Sequence, residues 1–365
     1  MKKSHYIPFL LVFFLTGCWD QHSLKDSALV LSIAMDQAPK NHIKTTAIIR
    51  TSVSKGGETE AINYVAKEEG FSVRDARHKI DYQIPGNFSS NKLLVMLLGE
   101  DLAKKNLYPY FDNFFRYIRS SLSSRVVIVK GQASSILEMK TYKDILIGES
   151  LLEMIESAEN LSLIPKETQE SIYKKMADPG YDLVLPYLEK IDDETLKIKG
   201  VGLLQNNKFT GKILNEYQSK LLLLLQDNKG TAMSFSEKIN EKNEVVSFKV
   251  KNENRRLKTK IVNGQPKVNI DIKIKIDLNE YTGGTLASDK KKKEIEKKLT
   301  KKMENEMIEV IHILQEANCD ALGIGRFLMA YHPKTWAKLN WEKEYSKVPF
   351  NITNKVIMTT RGIMF

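Results

Sequence analysis

The most informative stretch of the sequence is VNIDIKIKIDL at residues 268–278, in which an aliphatic residue occupies every second position. The intervening residues are Asn, Asp and Lys, so one side of an extended chain is apolar and the other side is polar. Strict alternation of this kind predicts a β-strand with one buried face and one solvent-exposed face. This strand therefore indicates a sheet in the C-terminal part of the chain.

Two shorter alternating segments precede this strand, with apolar positions at 246–250 and 257–261. Asn252-Glu253-Asn254 predicts a turn between them. Asn263-Gly264 predicts a type I′ turn into residues 268–278, because both residues tolerate a positive φ. Together the segments predict an antiparallel meander.

A long helix is predicted over about 288–318, and we expect it to cover the apolar face of this meander. Its apolar residues recur every three or four positions and form one stripe: Ile295, Leu299, Met303, Met307, Val310, Ile311 and Leu314. The first turn carries Lys290-Lys291-Lys292-Lys293, where cations oppose the helix dipole. These lysines face a membrane, a partner or solvent. Two strand-like pieces, 350–352 and 356–358, close the chain.

The N-terminal half mixes short apolar runs with helical patterns. Strands are predicted at 29–35, 45–49, 93–98 and 125–129, and a loop is predicted after Lys55-Gly56-Gly57-Glu58. Helices are predicted at 73–83, 108–118, 133–140, 147–160 and 166–177, the first capped by Ser72. A hairpin through Asn206-Asn207 joins strands at 196–204 and 208–213, and a helix at 215–226 follows. The predicted class is α+β (mixed α/β), with a mixed sheet and helices first and the antiparallel meander with its long helix second.

The length of 365 residues predicts more than one domain. A shift in composition near Asp192 and Asp193 marks the predicted boundary. The predicted units are a signal peptide (1–17), a short lead (18–26), an N-terminal α/β domain (27–192) and a C-terminal α+β domain (193–365). A further division near residue 214 is left open.

The N-terminus has the organisation of an export signal. Lys2 and Lys3 precede an apolar run of about nine residues, Ile7 to Leu15, which is too short to span a bilayer. Leu15-Thr16-Gly17-Cys18 resembles a bacterial lipobox, so cleavage is expected between Gly17 and Cys18. Covalent diacylglycerol and an N-acyl chain such as palmitate are expected on Cys18. The alternative is an ordinary cysteine in a signal peptide that carries no lipid.

Charge and cysteine content narrow the expected partners. The formal charge is +11, and removal of a signal that carries Lys2 and Lys3 leaves +9. Export excludes nucleic acid, so an anionic bilayer surface is the expected partner, and a solvated lysine-rich face is the alternative. With Cys18 lipidated, Cys319 has no partner and is expected to be a core residue.

No motif in the sequence indicates catalysis or a cofactor. The histidines lack metal-ligand spacing, and Gly323-Ile324-Gly325 follows a helix rather than a strand, which is unlike a dinucleotide site. Asp192-Asp193 lies at an apparent surface linker. The sequence therefore predicts no catalytic residue, no metal, no cofactor and no small-molecule ligand.

Several motifs, in order along the chain, resemble the Ger(x)C family, the lipoprotein C subunits of spore germinant receptors. The residues that carry this resemblance are Cys18, Trp19, Asp20, Gly200, Gly202, Gly211, Asp320, Gly323, Gly325, Trp336 and Trp341. The resemblance implies a non-catalytic scaffold or coupling subunit on the outer leaflet of the spore inner membrane. It would act in germination beside membrane-embedded A and B subunits, and it would have mixed α/β domains.

Two other classes and one question about the motifs remain open from the sequence. A substrate-binding lipoprotein of a nutrient importer has a similar lipobox and length, but it would favour two similar βαβ lobes around a cleft. A cell-envelope hydrolase is a further class. The motif glycines and tryptophans are either structural, through positive φ and ring packing, or they contact partners.

Overall fold

A computed structural model describes residues 27–55, 58–116, 120–241, 243–286 and 288–360. The strands are β1 (Ser27–Gln37), β2 (Ile43–Lys55), β3 (Glu58–Gly70), β4 (Asn87–Ser89), β5 (Val95–Gly99), β6 (Arg125–Val129), β7 (Thr141–Tyr142), β8 (Ile145–Leu146), β9 (Val184–Lys190), β10 (Leu196–Gln205), β11 (Lys208–Leu214), β12 (Ser234–Lys238), β13 (Val245–Val262), β14 (Gln265–Tyr281) and β15 (Phe350–Thr360). The α-helices are α1 (Val73–Asp81), α2 (Glu100–Ala103), α3 (Tyr108–Arg116), α4 (Ser134–Leu137), α5 (Ile147–Asn160), α6 (Gln169–Met176), α7 (Glu216–Gln226), α8 (Asp289–Glu316), α9 (Ile324–Tyr331), α10 (Pro333–Trp336) and α11 (Trp341–Glu344).

The first sheet has nine strands in the order β11-β10-β9-β6-β5-β1-β2-β3, with β4 beside β1. The pairs β1–β5, β5–β6 and β6–β9 are parallel, and the strands further out pair antiparallel, so the sheet is mixed as predicted. Every residue of β5 and β6 is buried. This burial on both faces explains why these strands read as continuous apolar runs in the sequence.

Helices cover both faces of this sheet. Alternate strand residues enter different cores: Ile33 and Met96 pack with α1, α2 and α3, whereas Ala34 and Val95 pack with α4, α5 and α7. The predicted cap of α1 is confirmed, because the side chain of Ser72 accepts a hydrogen bond from the amide of Asp75. The sheet is thus the middle of three layers.

One predicted loop is wrong. The chain after Lys55 returns as β3, which pairs along the whole of β2 from Lys55–Glu58 to Ile43–Gly70. Strand β3 lies at one edge of the sheet, and among the described residues it pairs only with β2. It therefore does not need the apolar run that identifies the inner strands in the sequence.

The second sheet has four strands in the order β12-β13-β14-β15. Strands β13 and β14 form the predicted hairpin, and Asn263 and Gly264 have φ angles of 52° and 77°, as a type I′ turn requires. The predicted turn at 252–254 is wrong, because β13 runs unbroken through it and only shifts register between Val250 and Asn252. The two closing pieces form the single strand β15, which pairs parallel to β14.

The long helix α8 packs at the β15 edge of this sheet, and its predicted apolar stripe is buried from Ile295 to Leu314. It also supplies polar acceptors to the edge strand. The amides of Asn354, Val356 and Met358 donate to side chains of α8 over 2.8–3.0 Å. A helix thereby satisfies backbone groups that would otherwise be open to another strand.

The boundary predicted at residue 192 falls within the first sheet. Strands β9 and β10 pair antiparallel across it, and β11 completes the sheet at Leu214. In terms of sheets, the change therefore occurs after residue 214, where the sequence left a further division open. The domain division itself stays a prediction.

Candidate functional site: the Asp320 junction

Asp320 occupies the turn between α8 and α9 and is only 1% exposed. Its Oδ1 accepts the amide of Ile324 over 2.9 Å, and its Oδ2 accepts the amide of Gly325 over 2.8 Å. These are amides of the first turn of α9, which have no partner within their helix. The N-cap residue of α9 is Gly323, which has no side chain, so the carboxylate of Asp320 satisfies these amides from three residues before the N-cap.

The same carboxylate binds a tryptophan. Trp341 Nε1 donates to Asp320 Oδ2 over 2.9 Å, which links the start of α9 to α11. The Trp341 ring lies between those of Trp336 and Tyr345, with centroid separations of 5.8 and 5.7 Å. The two predicted tryptophans therefore belong to one aromatic cluster beside Asp320.

A second buried aspartate joins this cluster to the first sheet. The amide of Asp320 donates to Asp182 Oδ2 over 2.9 Å, and the amide of Asp182 donates to the carbonyl of Asp320 over 3.1 Å. Asp182 Oδ1 also accepts the amide of Asn206, in the turn between β10 and β11. Three distant segments thus meet at two carboxylates.

Two glycines pack back to back at the same place. A Cβ added to Gly325 would lie 2.6 Å from Gly180 Cα and 2.8 Å from Trp341 Nε1. The amide of Arg326 donates to the carbonyl of Gly180 over 3.1 Å, so the backbones are in direct contact. Gly323 has a φ of 68° and would strain with any other side chain. These motif glycines serve close packing.

Burial controls the electrostatics of the junction. It raises the pKa of Asp320 to about 7, although the three N–H donors favour the charged form. It also raises the pKa of Asp182, whose own charge acts on Asp320 in the same direction. The Tyr345 hydroxyl is buried without a hydrogen-bond partner among the described residues, and burial raises its pKa as well.

The junction has little room for a ligand. The adjoining pocket holds about 90 Å³ and is lined by Tyr181, Asp182, Asn206 and Trp341, among others. Pockets for small molecules are usually several-fold larger, on the order of 300–1,000 Å³. Both Asp320 oxygens already accept N–H donors. The side chains at this junction therefore hold segments of the chain together through hydrogen bonds. Within the described ranges, no group of three or more His, Cys, Asp or Glu side chains is placed to hold a metal.

The remaining motif residues lie elsewhere. Gly200 and Gly202 are in β10 and Gly211 is in β11. A Cβ at Gly200 would lie 2.0 Å from the carbonyl oxygen of Leu214. The absence of a side chain at Gly200 therefore allows the backbone just before α7 to pass close to β10. Leu15, Thr16, Gly17, Cys18, Trp19 and Asp20 lie outside the described residues. Cys319 is fully buried, as expected.

Sequence reasoning missed Asp182, Gly180 and Tyr345. Asp178-Pro179-Gly180 follows the helix predicted at 166–177, and α6 ends at Met176, just before it. Nothing local in the sequence signals that Gly180 contacts Gly325 or that Asp182 binds Asp320.

Every described helix, including those around this junction, is too short or too polar to cross a bilayer.

The chain is similar to known proteins over nearly its whole length. Residues 20–190 match the model of the spore germination protein N-terminal domain, and residues 199–362 match that of the spore germination B3/GerAC-like C-terminal domain. In Bacillus subtilis (strain 168), the putative spore germination protein YfkR is 22% identical, covering 100% of this chain and 99% of the relative. Spore germination protein B3 is 23% identical, covering 96% of each chain.

A solved structure agrees in fold. The crystal structure of the GerBC protein superposes with a TM-score of 0.57 at 19% identity, covering 90% of this chain and 96% of that one. This likeness confirms the multi-domain α+β class. Since the two family models together span most of the sequence and occur in the expected order, the chain belongs to the GerAC-like family of spore germination proteins.

Proposed function

We propose that this protein is the lipid-anchored C subunit of a nutrient germinant receptor in the spore inner membrane. It acts in germination as a non-catalytic scaffold or coupling component beside the membrane-embedded A and B subunits. The observation that carries this proposal is the match of both family models, in order, over residues 20–190 and 199–362. The relatives named spore germination proteins B3 and KC also align over most of their own lengths.

The anchor is argued from the sequence. Leu15-Thr16-Gly17-Cys18 ends an export signal, and lipid on Cys18 would hold the chain on the outer leaflet. The described fold begins at Ser27, so the nine residues 18–26 separate it from the proposed lipid. Nine extended residues reach roughly 30 Å at most. The folded part would therefore lie close to the headgroups, within contact of integral membrane subunits.

The Asp320 junction supports a non-catalytic role. Its carboxylates accept backbone amides and an indole N–H, and its glycines are in backbone contact. These groups hold segments together.

The importer alternative has less support. A substrate-binding lipoprotein would have two similar βαβ lobes, whereas this chain has a nine-stranded mixed sheet followed by a four-stranded sheet built around a hairpin. Calorimetric titration of amino acids and sugars against the purified chain separates the two functions. Tight binding of one of them would favour the importer class.

The test of the proposed function is Cys18→Ala in spores, with Cys319→Ala as the matched control. We expect Cys18→Ala to abolish palmitate labelling, release the protein from the inner membrane and impair nutrient germination, whereas Cys319→Ala keeps its label. Crosslinking and pull-down from spore inner membranes are expected to recover A and B subunits with the unmodified protein. A Cys18→Ala protein that stays in the membrane and supports full germination would contradict the anchor.

A further inference from the structure

The polar face of the second sheet carries an unusual concentration of positive charge. Near the β13–β14 turn, six exposed cations project from three neighbouring strands, and we call them the basic sheet face. They are Arg256, Lys258, Lys260, Lys267, Lys273 and Lys355. Their placement follows from the alternation of the strands, since the residues between them, such as Val268 and Ile272, are buried in the core.

The strand register places like charges directly opposite each other. Lys260 pairs with Lys267 across β13 and β14, and Lys273 pairs with Lys355 across β14 and β15. Like charges that lie directly opposite each other destabilise a sheet. An anionic partner would remove this repulsion.

The nearby acids do not neutralise the basic sheet face. Asp271 lies opposite Arg256 and accepts a hydrogen bond from the Thr353 hydroxyl. On the same face, Lys251 and Asp277 form an ion pair over 3.6 Å, and Lys251 is not one of the six cations. Within the described ranges, none of the six cations takes part in an ion pair. The face therefore presents a net positive charge to its surroundings.

The basic sheet face lies toward the end of the molecule at which Ser27, the first described residue, is placed. Strands β1, β5, β6 and β9 run parallel, so Ser27 is at the same end of the first sheet as Asp182, which precedes β9. Asp182 is hydrogen-bonded to Asp320, Asp320 is hydrogen-bonded to Trp341, and the ring of Trp341 packs against that of Tyr345. The ring of Tyr345 is 6.4 Å from that of Phe350, which pairs with Val268 beside Lys267. Ser27, the first described residue, and the basic sheet face thus lie toward the same end of the molecule.

We propose that the basic sheet face docks on the anionic phospholipid surface of the membrane. The face is part of a sheet and carries no aromatic side chain among its six residues, so binding is electrostatic and not insertive. Each cation near an anionic bilayer strengthens binding about fivefold, and the effect decays within a Debye length of roughly 10 Å. The buried side of the sheet, whose residues share a core with α7 and α8, faces away from the lipid.

This inference rests on the proposed membrane location, but its test does not use the anchor. The chain from residue 18 onward, with Cys18→Ser so that it carries no lipid, is mixed with large vesicles and sedimented. One set of vesicles is pure phosphatidylcholine, and the other contains about one third phosphatidylglycerol. We expect binding to the anionic vesicles alone, with loss of binding as salt is raised toward about 0.5 M.

Two triple variants and one control locate the binding face. Lys258→Gln/Lys260→Gln/Lys267→Gln is expected to weaken vesicle binding roughly a hundredfold, and Arg256→Gln/Lys273→Gln/Lys355→Gln by a similar factor. Lys290→Gln/Lys293→Gln/Lys297→Gln removes the same charge from exposed positions on α8 and is expected to retain binding. The first triple variant is also expected to melt at the same or a higher temperature, because it relieves the Lys260–Lys267 repulsion.

Three results would overturn the proposal. One is equal binding to both kinds of vesicle, or no binding to the anionic kind. Another is a loss in the α8 control as large as that in the sheet variants. The third is binding to soluble polyglutamate without binding to vesicles, which would assign the face to an acidic protein. Because no lipid anchor is present, each of these can occur while the Cys18→Ala test in spores still succeeds.

Discussion

The indole Nε1 of Trp341 donates a 2.9 Å hydrogen bond to Oδ2 of Asp320, and the same oxygen accepts the amide of Gly325. One buried carboxylate thus connects α9 to α11. Through the amide of Asp320, Asp182 joins both of them to the first sheet. The two halves of the protein are therefore held together by a small polar cluster as well as by apolar packing.

Replacing Asp320 tests this connection. Asp320→Asn retains the shape of the side chain but turns one acceptor into a donor that faces an N–H group, so we expect a loss of about 1–3 kcal/mol in unfolding free energy. Asp320→Ala leaves three N–H donors without their acceptor and is expected to cost more. Urea unfolding measures both variants, and Trp341 emission should shift to the red. Losses below about 0.5 kcal/mol in both variants would show that the cluster carries little energy.

The raised pKa of Asp320 predicts a pH dependence. Its pKa is about 7 in the folded chain, whereas an unfolded aspartate titrates near 4. Over this range the folded state binds the extra proton, so the contribution of this group to stability falls as pH rises from about 4 to 7 and then levels off. Urea unfolding at several pH values should show this decline in the unmodified chain and not in Asp320→Asn. Parallel curves for the two proteins would contradict the assignment.

In Gly325→Ala, helix propensity and packing are expected to change the unfolding free energy in opposite directions. Alanine in a helix is intrinsically favoured over glycine by about 0.5–1 kcal/mol. Here, however, the added Cβ would lie 2.6 Å from Gly180 Cα, so we expect a net loss above about 2 kcal/mol. Gly211→Ala is the comparison, since its φ of 81° is strained but its surroundings are open, and about 1–2 kcal/mol is expected. A Gly325→Ala protein as stable as the original would exclude the backbone contact.

The covered edge of β15 gives a fourth prediction. Thr300→Val keeps the shape of the side chain but removes the hydroxyl that accepts the amide of Val356 over 3.0 Å. We expect a loss of about 1–2 kcal/mol, together with a greater tendency to self-associate through the opened edge. Unfolding and sedimentation velocity measure the two effects. Glu296→Gln retains an acceptor for the amide of Met358 and should behave like the unmodified chain.

The predictions that failed have a common cause. The sequence predicts neither strand β3 nor the continuous path of β13 through residues 252–254, because glycine and polar residues at these positions are typical of loops and turns. In each case a neighbouring strand supplies hydrogen bonds along the whole segment. Pairing with a partner strand overrides local propensity at such positions.

Local periodicity in the sequence is sufficient to predict most of the helices and strands. The two-residue period of 268–278, the stripe from Ile295 to Leu314 and the Asn263-Gly264 turn each depend on residues close together in the chain. They could therefore be identified from the sequence by itself, as could the family to which the chain belongs, whereas the export signal stays a prediction. The Asp320 junction and the basic sheet face depend instead on the tertiary structure. Asp182 and Asp320 are separated by 138 positions, and the register of β15 places Lys355 opposite Lys273. Contacts of this kind are selected by the packing of whole elements, which no short window of sequence encodes.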